Sequence, residues 1–123
     1  VNVPEALVGA HVSRITLDER VRLALTGHAA RGRTRLEAEL SIAAGFEVGD
    51  PVDGFRRLAP GSRVLLTPVL DLFAKTVSRV TIDGRGALDV RFDDGTCLAV
   101  APHPSVESWR LTGTGFGPVS ART

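Results

Sequence analysis

The side chains in this sequence that could do chemistry are few and scattered along the chain. A thiol-imidazole pair needs its sulfur within hydrogen-bond reach of a ring nitrogen. Cys97 and His103 share one parity of an extended chain, but six residues of strand hold them about 20 Å apart. A dyad would need a sharp bend at Pro102, so an inert buried thiol is the expectation. His11, His28 and His103 show no H-x-x-x-H or Cys/His spacing, and neither a metal nor a cofactor is expected. Asp93 with Asp94, and Asp18 and Asp83, fall where turns close, which accounts for them without a carboxylate pair. Gly113-Thr114-Gly115-Phe116-Gly117 lacks the lysine and the downstream helix of a phosphate loop and is a turn. No catalytic residue emerges.

Two groups remain as binding candidates. Arg31, Arg33 and Arg35, if extended, aim three guanidinium groups to one side and so could hold phosphates. No aromatic residue interleaves with them and Glu37 and Glu39 follow at once, so a base-stacking platform is absent and the alternative is a solvated hairpin loop. Trp109 is either a ring sealing the core, its indole N-H on a carbonyl, or an exposed anchor for a partner. Glu107 and Arg110 flank it and would share such a contact.

The frame that must position these residues begins with composition. The chain has 123 residues, 43% of them apolar and 24% charged, which describes a globular protein of one domain and excludes collagen, coiled coil and disorder. Fifteen basic against fourteen acidic residues leave +1, too little for a whole-molecule field that attracts nucleic acid or anionic lipid. The longest apolar stretch, Val64 to Ala74, is broken by Thr67, Pro68 and Asp71 and falls well short of the ~18 residues of a membrane helix. The N-terminal segment lacks the marks of an export signal. With one cysteine, a reducing, cytoplasmic setting is the expectation.

The strongest signal is an internal echo. Val12-Ser13-Arg14-Ile15-Thr16-Leu17-Asp18 returns 65 positions on as Val77-Ser78-Arg79-Val80-Thr81-Ile82-Asp83. Alternation puts Ser13, Ile15 and Leu17 on one side of the first copy, and Ser78, Val80 and Ile82 on one side of the second. Each copy is followed by two more alternating stretches: Val21, Leu23, Leu25 then Leu36 to Ile42, and Leu88, Val90, Phe92 then Thr96 to Ala101. The last is apolar on both faces and belongs inside the sheet or under another layer. Between the copies Leu65, Leu66, Val69, Leu72 and Phe73 make a helical stripe, started by Ser62, or by Thr67 with Pro68 at the first helical position. The expected fold is α+β: a three-stranded antiparallel meander over 12–42, a helix over 62–75 packed on the sheet, a second meander over 77–101 and a tail over 102–123.

Phe92-Asp93-Asp94-Gly95 and the tail Glu107, Trp109, Leu111, Gly113 carry a resemblance. They resemble an uncharacterised family of small, mostly actinobacterial proteins in which F-x-D-G precedes Y-E-x-W-x-L-x-G, with Val106 here in place of the tyrosine. The match extends back through Pro68-Val69-Leu70 and Val77. It implies an architecture and no catalytic residues.

The expected function is therefore a non-enzymatic protein-interaction module of accessory or immunity type, offering sheet edges to an unidentified partner or to a second copy. Its rivals are a small-ligand protein or enzyme with a pocket near Cys97, His103 and Trp109, and a weak nucleic-acid binder through Arg31, Arg33 and Arg35.

Overall fold

A computed structural model describes residues 3–28, 35–61, 67–113 and 116–120. The chain is mostly β, with two five-stranded antiparallel sheets and two single-turn helices. In order these are α1 (Val3–Ala6), β1 (His11–Leu17), β2 (Val21–His28), β3 (Arg35–Ile42), β4 (Phe46–Asp50), β5 (Gly54–Leu58), α2 (Thr67–Leu70), β6 (Val77–Ile82), β7 (Leu88–Phe92), β8 (Cys97–Val100), β9 (Trp109–Gly113) and β10 (Phe116–Ser120).

Both expected meanders form, as β1-β2-β3 and β6-β7-β8, but neither is a sheet by itself. The first sheet runs β1-β2-β3-β9-β10 and the second β5-β4-β8-β7-β6. Residues 46–58, whose Gly, Pro and Asp mark loop, are a hairpin that completes the second sheet. Part of the tail is a hairpin that completes the first. The chain is thus two halves of one plan, helix turn, meander, hairpin, with the hairpins exchanged. Each hairpin opens on a buried aromatic, Phe46 opposite Val100 and Trp109 opposite Ile42. The exchange explains why β8, apolar on both faces, lies at the centre of its sheet.

The echo carries more than alternation. The register slips between Val12 and Arg14 and again between Val77 and Arg79, so each serine is the extra residue of a bulge. The Ser13 hydroxyl donates to the Ala24 carbonyl (3.3 Å) and that of Ser78 to the Arg91 carbonyl (3.2 Å). One added residue flips the alternation. Val12 with Ile15, and Val77 with Val80 and Ile82, therefore turn to the core, and the expectation that Ser13 shares a side with Ile15 and Leu17, and Ser78 with Val80 and Ile82, is corrected; Leu17 keeps the side of Ile15, opposite Val21, but is exposed at the strand end. Asp18 and Asp83 end the copies as expected. Asp18 accepts from the Arg20 N-H, and Asp83 from the N-H groups of Arg85 and Ala87, bonds that lower both carboxyls below their ordinary range.

The two copies meet near their starts. Val12 N-H donates to Lys75 O (3.0 Å) and Val77 N-H to Ala10 O (2.7 Å), while Ala74 N-H donates to Val12 O (2.8 Å) and Gly9 N-H to Val77 O (2.8 Å). Adding or subtracting 65 exchanges the bonds within each pair, and His11 bridges Thr76, its own counterpart. That is the signature of a two-fold axis, as at an isologous dimer interface.

The helix expected over 62–75 is instead the single turn Thr67–Leu70. Residues 62–66, with the alternative N-cap Ser62, lie outside the described residues. Val69 and Leu72 are buried as expected, but Phe73 of the same stripe is exposed, because the chain leaves the helix after Leu70 and Ala74 takes a left-handed conformation (φ 69°). One core, drawn from both sheets, unites Leu23, Leu40, Trp109 and Leu111 with Phe46, Val90, Leu98 and Val100.

Lys75 closes the α2 turn onto the β7–β8 turn through an ion pair with Asp94, whose second oxygen accepts from the Thr96 N-H. The Lys75 ammonium, then the Thr96 N-H, lowers the Asp94 carboxyl to about 2. A depressed carboxyl stabilises the fold above its unfolded value and loses that as pH falls through the folded one. Half exposure to water discounts the contribution to about 1 kcal/mol. Denaturation midpoints measured between pH 5 and pH 2 should fall more for wild type than for Asp94→Asn by this amount; parallel curves would refute the link.

Candidate functional site

The residues singled out from sequence do not converge. Trp109 is fully buried on the inner face of β9, and its indole Nε1 donates to the Gly86 carbonyl (2.7 Å) in the β6–β7 turn. Of its two readings the core role is the one realised; such a ring presents no surface to a partner. Arg110 points outward from the first sheet between Ser41 and Ser120, and among the described residues no ion pair joins it to the half-buried Glu107. Arg31 and Arg33 lie outside the described residues. Arg35 is exposed and sits 3.4 Å from the Glu37 carboxylate.

Cys97 lies on the outer face of β8, with sheet between it and Trp109. His103 is exposed in the segment before β9, its Nδ1 accepting from the Ser105 N-H (3.0 Å). The cleft that Cys97 lines contains neither His103 nor Trp109, so the expected three-residue pocket is corrected. The reason is the inner and outer alternation of β8 and β9 in opposite layers. Among the described residues no group of three or more His, Cys, Asp or Glu side chains is placed to hold a metal, and no helix is long and apolar enough to cross a membrane.

The structure offers another site, on the outer face of the second sheet. Register sets two rows of side chains across its strands: Phe55, Gly49, Cys97, Arg91 and, beside it, Arg57, Glu47, Ala99, Asp89. Gly49, Cys97 and Ala99 in the middle are small and most of the residues around them are large, so the face is hollow. The result is a cleft of about 670 Å³ with Phe55 and Pro51 at one rim and Asp89 and Arg91 at the other. Cys97 is its floor. Burial first, and then the neighbouring Asp89 charge, pushes the thiol up, so it is a poor nucleophile at neutral pH. One carboxylate oxygen of Asp89 is buried with no hydrogen-bond partner.

The rim strand β5 is also a sheet edge. Four of its five residues are exposed, among them Phe55 at 50%. Gly49 makes the hairpin possible. A Cβ there would stand 2.1 Å from the Gly54 carbonyl oxygen, so the two strands approach more closely than any other residue allows. From sequence, residues 43–61 are rich in Gly, Pro and Asp, yet Phe46, Val48 and Phe55 indicate a packed segment with a short strand; β4 is that strand, and what the sequence did not show is its pairing with β5 and β8, which makes the site.

The other hollow of similar size lies on the first sheet around Ser13, Arg14, Thr26, Glu37 and Glu39. Its wall is polar and two of its carboxylates, Glu37 and Glu39, already face arginines.

Set against known proteins, residues 3–122 match a family model described as a family of unknown function (DUF6188). No curated protein and no solved structure matches.

Proposed function

From the premise that the chain belongs to DUF6188, a family of unknown function, we propose that it is a non-enzymatic protein-interaction module that accepts an extended, acidic segment of a partner along β5. The observation that carries this is the contrast among the four sheet edges. Edge strands invite pairing, and proteins ordinarily blunt them with proline, bulges or cover. β10 contains Pro118 and an irregular register, while β1 and β6 are each bulged at a serine and run into one another. β5 contains no proline and its pairing with β4 is unbroken, so its guard among the described residues is charge alone, from Arg56 and Arg57.

Its side chains set the partner's chemistry. Arg56 and Arg57 flank the edge, so carboxylates opposite them are favoured, and Phe55 supplies an apolar anchor. The same arginines disfavour a second copy, because β5 against β5 would bring four guanidinium groups together. The free thiol of Cys97 is in keeping with a cytoplasmic setting.

The test compares capture from native lysate by wild type, by Arg56→Glu/Arg57→Glu, and by Arg110→Glu on the other sheet. A partner kept by wild type and Arg110→Glu should be lost about tenfold or more in the double variant, and should slow hydrogen exchange at the β5 amides. Equal capture by all three, or protection elsewhere, would overturn the reading.

A further inference from the structure

We propose that the cleft over Cys97 binds a small organic cation, an ammonium group carried on an apolar body. Three observations converge on that class. The buried, unpartnered oxygen of Asp89 is an acceptor without a donor, and native folds leave few such atoms without a purpose. Glu47, Asp89 and Asp93 place three carboxylates in the walls against the single guanidinium of Arg91, so a cation is favoured over an anion. The far wall is apolar, made by Phe55 and Pro51, and an aromatic face attracts cations as well as apolar groups.

Dimensions limit the ligand. Phe55 on β5 and Asp89 on β7 stand three strand spacings apart, about 14 Å between backbones. With both side chains reaching inward, the remaining gap suits one ring or a short alkyl chain ending in nitrogen. The floor of Gly49, Cys97 and Ala99 leaves that gap open. This site is separable from strand addition at β5: Arg56 faces the opposite side of the hairpin, so Arg56→Glu alone should leave the cleft intact, whereas Arg57 stands on the cleft face beside Glu47.

Phenethylamine, cationic at pH 7, is the probe, with 3-phenylpropionate as its anionic counterpart. Amide shifts at Gly49, Cys97 and Ala99 report occupancy. Cys97 is the chain's one cysteine, so its rate of thiol labelling reports cover over the floor. The amine should bind with a Kd on the order of 1 mM, slow the labelling, and weaken about tenfold or more in Asp89→Asn and in Phe55→Ala. The acid should do neither. Equal effects of acid and amine, or unchanged amine binding in an Asp89→Asn protein with wild-type melting, would overturn the proposal.

Discussion

Trp109→Ala should lower stability by about 3–5 kcal/mol, the cost of emptying a large buried site, and the melting temperature by about 10 °C or more. Three contributions add. The ring is fully buried at the junction of both sheets, its removal leaves a cavity among Leu40, Ile42 and Leu111, and the Gly86 carbonyl loses its donor. Trp109→Phe separates them. It retains most of the ring and leaves the carbonyl unpaired, so about 1–3 kcal/mol should remain. Chemical denaturation with an unchanged slope measures both. The protein contains no other tryptophan and no tyrosine, so native emission should be blue-shifted and move red with unfolding. Near-wild-type stability of Trp109→Ala would show that the ring is not where the fold needs it.

Gly49→Ala is expected to cost about 3 kcal/mol, the upper end of what overpacking a filled site does. The added carbon would meet backbone at 2.1 Å (Gly54 O) and 2.7 Å (Phe55 Cα), and backbone cannot rotate away as a side chain can. The comparison is Gly54→Ala, where φ is +88° but nothing lies within 4 Å, so only the left-handed conformation is penalised, at about 1 kcal/mol. Gly49→Ala should also loosen β5 selectively, seen as faster hydrogen exchange at residues 54–58 with the β1–β2 ladder unchanged. Equal cost at both glycines would argue against the close crossing.

What could be read from sequence, and what could not, follows physical lines. The two meanders were legible because Leu36, Ala38, Leu40 and Ile42, and Leu88, Val90 and Phe92, alternate against a polar face. The bulges at Ser13 and Ser78 were not, because an extra residue in a strand leaves no trace in polarity; only the repetition of serine at one place in both copies hinted at it. The hairpins were only partly legible, for the opposite reason. Phe46, Val48 and Phe55 marked a short strand, but Gly49 and Gly54, which the tight crossing uses, mean loop in other settings. Trp109 and Leu111 were seen, but five residues beginning on a tryptophan give too short an alternation to declare a strand. The cleft could not be foreseen, since Phe55, Gly49, Cys97 and Asp89 come from four strands and meet only through register.

The exchanged hairpins have a further consequence. With its reciprocal bonds 65 residues apart, the molecule has the anatomy of a homodimer whose subunits are joined end to end between β5 and α2. Joining makes encounter of the halves an intramolecular event, where a dimer's depends on concentration. A homodimer must repeat every substitution on both sides of its axis; a tandem need not. One sheet can keep a charge-paired outer face while the other, built from parts of both halves, opens a hollow over a thiol, and that division of labour is what the freedom permits.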